Sequence, residues 1–257
     1  MRSEKRNPSG RRAELRRLML ARETVSVEEL CEMLSASPAT IRRDLAALEA
    51  NGELSRTHGG AALQDVRMAD QDFAQRELQD VDEKQRIADV VIRLIPPKST
   101  VFMNDGSTIM AVARAIVSAG SELFVATPAV NVATKLAENR AVTSCLLGGF
   151  VRTTSLATSG HFTEAMTAQI NADFAIISAD AVSVECGLAF ADPHDAGLAQ
   201  KMMSQSKTTI VVATARKLNA RERVTAVPLS KISKLITGPS ASVRELVAAG
   251  LRVIEAK

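Results

Sequence analysis

Apolar residues recur at helical spacing through the first fifty residues of the chain. The first such segment covers residues 11–22, the second follows Ser26, and the third begins at Ser37 and ends before Gly52. Residues 35–37, the last of which is also the first residue of the third segment, form the turn between the two segments. Two short helices joined by a turn of three or four residues form a helix-turn-helix, and the spacing predicts that motif here.

The third predicted helix would turn Ile41, Leu45 and Leu48 inwards, since they recur at i, i+4 and i+7. Arg42 and Arg43 are then left on its outer face. Such an arginine can bind guanine through two hydrogen bonds or hold a phosphate. An arginine pair on an arbitrary helix is more often a solvated face, but the start of a third helix favours DNA contact.

A short hairpin is predicted directly after this helix. Residues 53–63 form two short runs around Gly59 and Gly60, which is typical of a wing beside a recognition helix. His58 has no neighbouring set of His, Cys or carboxylate residues, so we assign it no metal. The predicted DNA contacts are Ser37, Thr40, Arg42, Arg43, Arg56 and His58.

Beyond residue 99, apolar runs alternate with helical stretches, which predicts an α/β domain with a mostly parallel sheet. The predicted strands cover residues 100–103, 123–126, 142–147, 174–178, 209–212, 234–237 and 252–255. Residues 64–81 are polar and show no clear periodicity. We therefore expect a winged helix-turn-helix at 1–63, a linker at 64–81, and an effector-sensing and oligomerisation domain at 82–257.

Three loops follow predicted strands at the edge where open parallel sheets bind their ligands. They hold backbone N–H groups, hydroxyls or basic side chains that could bind an anion at a helix start. Glycine and serine are also common in loops for turn geometry alone. The candidate effector residues are Asn104, Asp105, Gly106, Ser107 and Thr108 in the first loop, Gly148, Gly149 and Arg152 in the second, and Lys217 in the third.

The charge distribution supports a DNA partner more than the net charge of +3 does. Residues 1–22 contain eight basic and two acidic residues, a local charge of +6. Aromatic residues make up 3% of the chain, which argues against base stacking on single strands. Three widely spaced cysteines, with no signal peptide and no membrane-length apolar run, indicate a cytoplasmic protein without a structural zinc site. We expect no cofactor.

The segment VSVEELCEMLSASPATIRRDLAALEANGELSRTHGGAAL resembles the N-terminal domain of DeoR-family regulators. The run 40–45, followed by His58-Gly59-Gly60-Ala61, carries this resemblance, and the later loops extend it over nearly the whole chain. It implies a winged helix that binds operator DNA and a sensor domain similar to ribose-phosphate isomerase folds. It also implies repression, a sugar-phosphate effector, self-association, and effector-site roles for Thr127, Asn131 and Gly160.

Five positions depart from the family pattern. The residues in question are Asn104, Phe150, Asp195, Ala199 and Thr214, where the family usually has Asp, an acidic residue, Glu, Lys and Asp respectively. These changes leave the identity of the effector open. Two alternatives stay in view: a sugar-phosphate isomerase-like enzyme, and a DNA-binding protein that has lost effector sensing. The loss of carboxylates disfavours the enzyme, because proton abstraction needs a positioned base.

Overall fold

The computed structural model describes residues 11, 15, 25–34, 36–50, 55–57, 60–62, 73–152 and 155–257. The chain divides into two compact units, Met1–Asp70 and Gln71–Lys257. Arg11 and Leu15 are both helical, whereas the rest of the helix predicted at 11–22 lies outside the described residues. The domain boundaries proposed at residues 63 and 81 stay predictions.

The first unit combines two described helices with a small antiparallel sheet. Its elements are β1 (Val25–Ser26), α1 (Val27–Leu34), α2 (Pro38–Ala50), β2 (Ser55–Thr57) and β3 (Gly60–Ala62). The strand order is β1-β3-β2, so the predicted hairpin is present and β1 adds a third strand. Leu15, Leu30, Leu34, Ile41 and Leu45 form its core. The winged helix-turn-helix predicted from the apolar spacing is therefore confirmed.

The second unit is an α/β domain built on a parallel sheet of seven strands. These strands are β4 (Thr100–Met103), β5 (Leu123–Thr127), β6 (Val142–Leu146), β9 (Ala172–Ser178), β12 (Ser206–Val212), β14 (Lys234–Thr237) and β15 (Val253–Glu255). Their order in the sheet is β15-β14-β12-β9-β4-β5-β6. Its helices are α3 (Phe73–Leu78), α4 (Val81–Leu94), α5 (Ser107–Ala119), α6 (Val130–Leu136), α7 (His161–Ala168), α8 (Pro193–Ser204) and α9 (Val243–Ala248).

Two smaller sheets complete the second unit. The strands β7 (Phe150–Arg152) and β8 (Ala157–Ser159) form a hairpin, and β10 (Ala181–Ser183), β11 (Gly187–Phe190) and β13 (Val224–Val227) form a three-stranded sheet. The sequence analysis did not predict these strands, because three or four residues are too few to show a period of two. It also did not predict α3, a single short helix inside the segment assigned as linker.

Apolar residues cover both faces of the parallel sheet. In β9, Ala175 and Ile177 belong to one core cluster, whereas Ile176 belongs to the other. Successive side chains of a strand point to opposite faces, so each strand contributes to both clusters. This double burial explains why the strands read as continuous apolar runs and why all seven could be placed from the sequence.

Asn104 joins two neighbouring strands at the carboxyl edge of this sheet. Its side-chain amide donates to the carbonyl oxygen of Ser178 at 2.8 Å and accepts from the Ser178 backbone N–H at 2.8 Å. Asn104 is only 5% exposed, so water cannot replace either bond. The side chain therefore continues the pairing of β4 with β9 beyond the last residue of β4.

We predict that Asn104→Ala lowers the free energy of unfolding by about 2–3 kcal/mol, because it leaves a buried donor and a buried acceptor of Ser178 unpaired. Denaturant unfolding of the whole protein measures this loss. Ser178→Ala is the matched control, since only the backbone of Ser178 takes part and that variant keeps both bonds. Equal stability of the two variants would show that Asn104 does not stabilise this edge.

Candidate functional site

The candidate DNA-binding helix, α2, begins at a serine cap. The Ser37 hydroxyl accepts from the Thr40 backbone N–H at 3.3 Å and lies 2.9 Å from the Thr40 hydroxyl. The side chains of Arg42 and Arg43 are exposed in the first two turns. Asp44 is buried and binds Arg11 at 2.6 Å, which fixes α2 to the preceding helical residues. The exposed arginines are thus held on a helix whose other face is anchored.

Two predicted DNA contacts cannot be placed as side chains. Arg56 lies in β2, but its side chain is outside the described part of the molecule, and so is the whole of His58. Their contact with the DNA backbone stays a prediction.

The three predicted effector loops do meet at one edge of the parallel sheet. Asp105 follows β4, and the Lys217 ammonium donates to the carbonyl oxygen of Ala179, directly after β9, at 2.6 Å. Gly106 precedes α5 with φ at +112°, a value that side chains with a Cβ rarely adopt. Ser107 and Thr108 are buried in the first turn of α5. This edge therefore gathers backbone N–H groups, hydroxyls and a lysine.

Arg152 is the centre of a charged cluster at this edge. One guanidinium nitrogen lies 2.6 Å from Asp195 and 3.7 Å from Asp105, and the other terminal nitrogen lies 3.2 Å from Asp192. The first nitrogen also donates to the Ser155 hydroxyl at 3.0 Å. Asp192 caps α8 by accepting from the His194 backbone N–H at 2.7 Å. The cluster thus ties β7 to the loop after β4 and to the start of α8.

Burial is the largest influence on the pKa values of Asp105 and Asp195. It raises the pKa of Asp195 to about 7, with a further rise from Asp105 and an opposing effect of Arg152. Burial also raises the pKa of Asp105, against the attraction of Arg152. Although burial lowers the pKa of Arg152, Asp195 and the other two carboxylates raise it above its usual range. Near neutral pH, Arg152 stays charged while Asp195 is close to half protonated.

Two arginines at this edge have buried donors without partners. Within the described residues, Nε of Arg152 and Nε of Arg76 make no hydrogen bond. Arg76 belongs to α3, and its charge lowers the pKa of both Asp105 and Lys217. Burial is the larger effect on Lys217 and lowers its pKa. A buried donor without a partner costs about 1–3 kcal/mol, so an anion that reached both nitrogens would be favoured.

Glu83 and Lys84, to which the sequence analysis gave no role, connect helices to this edge. Glu83 accepts from the backbone N–H groups of Ala215 at 2.7 Å and Gly238 at 3.0 Å. Lys84 donates to the carbonyl oxygens of Arg76 and, at 2.5 Å, Gln79. Burial lowers the pKa of Lys84 to about 8. The pair fixes α4 to the sheet and the end of α3 to α4.

The remaining candidates belong to the framework around the cluster. Besides the Asn104 bonds, the Thr127 hydroxyl lies 3.3 Å from the Asn104 carbonyl oxygen and accepts from the Ala129 backbone N–H. The Gly148 carbonyl accepts from Thr163 of α7, and a Cβ at Gly149 would lie 2.2 Å from the Thr163 hydroxyl oxygen. We expect these residues to act through loop geometry, and their direct contact with an effector stays a prediction.

Two kinds of feature are absent from the described residues. None of their helices combines the length and the apolar character needed to cross a membrane. No group of three or more His, Cys, Asp or Glu side chains among them could hold a metal ion.

Comparison with known proteins covers both units. The profile of the DeoR-like helix-turn-helix domain matches residues 11–67, and that of the DeoR C terminal sensor domain matches residues 79–239. The HTH-type transcriptional regulator GlpR of Haloferax volcanii is 31% identical over 96% of this chain and 98% of its own. The glycerol-3-phosphate regulon repressor of Escherichia coli is 31% identical over 87% of this chain and 88% of its own. Ribose 5-phosphate isomerase A of Neisseria gonorrhoeae aligns over 55% of each chain, with 18% identity and a TM-score of 0.40.

The raised pKa of Asp195 predicts a specific dependence of stability on pH. Between the ordinary pKa of 3.8 and about 7, the folded protein holds a proton that the unfolded chain has released. The free energy of unfolding contributed by this residue therefore falls as pH rises through that interval and is constant above it. We expect Asp195→Asn to flatten the curve in urea unfolding between pH 5 and about pH 8.

The matched control is Asp89→Asn, which changes an exposed carboxylate on α4 and should keep the slope of the unmodified protein. Parallel curves for the unmodified protein and Asp195→Asn would mean that Asp195 ionises normally in the folded protein.

Proposed function

Because this chain belongs to the DeoR family of transcriptional regulators, we propose that it represses a carbohydrate-related operon and releases its operator when a small phosphorylated compound binds the sensor domain. The observation that carries this proposal is the Arg152 cluster, in which a partly buried cation has one buried donor, Nε, without a partner. A cytoplasmic location and the domain boundaries at residues 63 and 81 belong to the same proposal.

The proposed DNA contacts start from the capped end of α2. Arg42 and Arg43 are exposed, and a recognition helix places its first turns against base edges in the major groove. Ser37 and Thr40 lie at the helix start, where backbone N–H groups favour a phosphate. Arg56 and His58 would contact the sugar-phosphate backbone from the wing. Two copies of the chain would engage two half-sites of double-stranded operator DNA.

The proposed effector is a small anion that competes with the internal carboxylates for Arg152. Phosphate oxygens could accept from the unused Nε donors of Arg152 and Arg76 and from the Lys217 ammonium. Ser107 and Thr108 would add hydroxyls and backbone N–H groups at the start of α5. Since one relative is named for the glycerol-3-phosphate regulon, phosphorylated polyols and sugars are the first compounds to test.

The proposed route from the effector to the DNA passes through α3. Arg76 lies on this helix, and Lys84 holds its last carbonyl groups. α3 begins the second unit, only three residues after Asp70 ends the first. An effector that draws Arg76 into the cluster would therefore bias the position of α3. The resulting change in DNA affinity cannot exceed the difference in effector affinity between the two positions.

We propose that binding at this site has no catalytic role. Asp105 and Asp195 are the carboxylates nearest the candidate anion, and both face Arg152. A raised pKa alone does not make a general base, because a base must also reach the proton that it abstracts, and both carboxylates are directed at the guanidinium. The chain would then sense a sugar phosphate without converting it.

The DNA-binding proposal predicts that Arg42→Ala and Arg43→Ala each weaken operator binding by about 1–3 kcal/mol if the lost contact is to a base. Duplexes enriched from a random pool by the unmodified protein provide the probe, and affinities are measured at a fixed salt concentration. Arg244→Ala is the control, because it removes an exposed arginine from α9 of the other unit. Unchanged affinity in both variants would exclude α2 as the recognition helix.

The effector proposal predicts that a phosphorylated polyol or sugar raises the melting temperature of the full chain, whereas the same compound without phosphate does not. Arg152→Lys keeps a positive charge beside the carboxylates but removes Nε and the forked geometry. We expect it to weaken effector binding about tenfold. Arg221→Lys, in the exposed ion pair with Glu185, is the control.

If glycerol 3-phosphate, other polyol phosphates and sugar phosphates do not shift the melting temperature at millimolar concentration, the proposal of a phosphorylated effector is wrong. The DNA-binding proposal would be unaffected by that result.

A further inference from the structure

Phe150 places an exposed aromatic ring beside the candidate effector site. Phe150 and Arg152 are the first and last residues of β7, and Gly149 of the second effector loop comes directly before them. Side chains two residues apart on a strand point to the same face. The Phe150 ring therefore lies on the face of β7 from which Arg152 reaches Asp195. Val151, between them, points to the opposite face.

The ring has a defined position although little of it is buried. Its centroid lies 6.4 Å from that of Phe162 in α7, with 51° between the ring planes. A Cβ at Gly160, the residue before α7, would lie 3.4 Å from Cδ2 of Phe150. Phe150 is nevertheless 72% exposed, whereas the phenylalanines other than Phe150 and Phe162 are buried or half-buried. The ring thus offers an apolar surface that the described residues leave open.

Carboxylates supply the polar part of the same site. Asp105, Asp192 and Asp195 surround the guanidinium of Arg152. Under the proposed function, a phosphate takes the place of these carboxylates on Arg152. An ionised carboxylate accepts hydrogen bonds and donates none, so carboxylates that lose the guanidinium need other donors. The hydroxyl groups of a sugar are such donors, whereas an aromatic or aliphatic phosphate carries few or none.

We propose that Phe150 is the apolar wall of the effector site and that the effector is a sugar phosphate in its ring form. The inference rests on the proposed function in one respect, namely that Arg152 holds the phosphate. The phosphate would accept from Nε of Arg152 and Nε of Arg76, and the hydroxyl edge of the sugar would face the carboxylates. One C–H face of the sugar ring would then lie against Phe150.

The chemistry of the aromatic face favours a closed sugar ring over an open chain. The π electrons give that face a partial negative charge. The C–H bonds of a sugar are polarised by the neighbouring oxygens, and a closed ring directs several of them to one side. An open-chain polyol can turn its hydroxyl groups to either side and keeps no lasting apolar face. Ligand sites commonly combine aromatic walls with a few placed polar groups.

The spacing along β7 agrees with a ligand of this size. Residues two apart on a strand are separated by about 7 Å. This distance leaves room for one sugar ring on Phe150 while a phosphate attached to that ring reaches the side chain of Arg152. A short compound such as glycerol 3-phosphate would bind the phosphate donors but cover little of Phe150.

Titration calorimetry of the full chain tests the proposal with matched pairs of ligands. Each pair is a hexose 6-phosphate and the hexitol 6-phosphate formed by its reduction, namely those of glucose, mannose and galactose. Both members carry the same phosphate and carbon chain, and only the hexose closes a ring. We expect the best cyclic ligand to bind about tenfold more tightly than its hexitol partner, and this ratio to fall about fivefold in Phe150→Ser.

The decisive quantity is the change in that ratio when the aromatic ring is removed. Ring closure by itself favours binding, because a closed ring loses less conformational freedom than an open chain. Val151→Ser is the matched control, since it removes an exposed apolar side chain from the opposite face of the same strand and should keep the ratio. Circular dichroism identifies any variant that fails to fold.

If Phe150→Ser misfolds, Phe150→Leu decides the matter, because it keeps apolar bulk without the aromatic face and should still lower the ratio. Hexitol phosphates that bind as tightly as the cyclic compounds would overturn this inference and leave the proposed function standing. So would a ratio that the Phe150 variants leave unchanged, or one that falls equally in Val151→Ser. Binding of no compound in the panel would contradict the phosphorylated effector itself, and this inference with it.

Discussion

The bonds between Arg152 and the carboxylates of Asp105, Asp192 and Asp195 join parts of the second unit that are far apart in the chain. Removal of the guanidinium would leave Asp105 and Asp195, which are largely buried, without a compensating charge. The guanidinium can, however, be transferred to another anion. Under the proposed function a phosphate would take over this guanidinium, and Asp195, whose pKa burial raises to about 7, would be the carboxylate that gives way.

Hydrogen bonds around this cluster fix the neighbouring strands and loops at the carboxyl edge of the parallel sheet. Asn104 and Thr127 hold the carboxyl ends of neighbouring strands together, and Glu83 binds two backbone N–H groups from the loops after β12 and β14. In contrast to these strands, α3 is a single short helix, and Lys84 binds the chain at its end. The charged side chains Lys84 and Arg152 thus connect α3 and β7 to the rest of the second unit.

More of the fold than of the candidate effector site could be predicted from the sequence. Strands buried on both faces give continuous apolar runs, so all seven strands of the parallel sheet, β4 among them, were predicted within a few residues of their observed bounds. Short elements such as β7 and α3 give no periodic signal. Arg152 and Lys217 were predicted as anion contacts, but Asp192 follows Arg152 by forty residues and no local pattern joins them. Asp195 was not predicted as a partner of Arg152, and its pairing required the tertiary structure.

The central claim, that an anionic effector competes with carboxylates for Arg152, is tested most directly by the protons exchanged on binding. Titration calorimetry at pH 7.5, carried out in buffers that differ in ionisation enthalpy, measures the number of protons taken up or released on binding. The ligand is the compound that gives the largest thermal shift. When the effector displaces Asp195 from Arg152, Asp195 should bind a proton. Burial lowers the pKa values of Lys84 and Lys217, and a nearby anion raises them again, so these lysines should also gain protons. The account predicts net proton uptake that is smaller in Asp195→Asn. Binding with no uptake, or with equal uptake in both proteins, would contradict it.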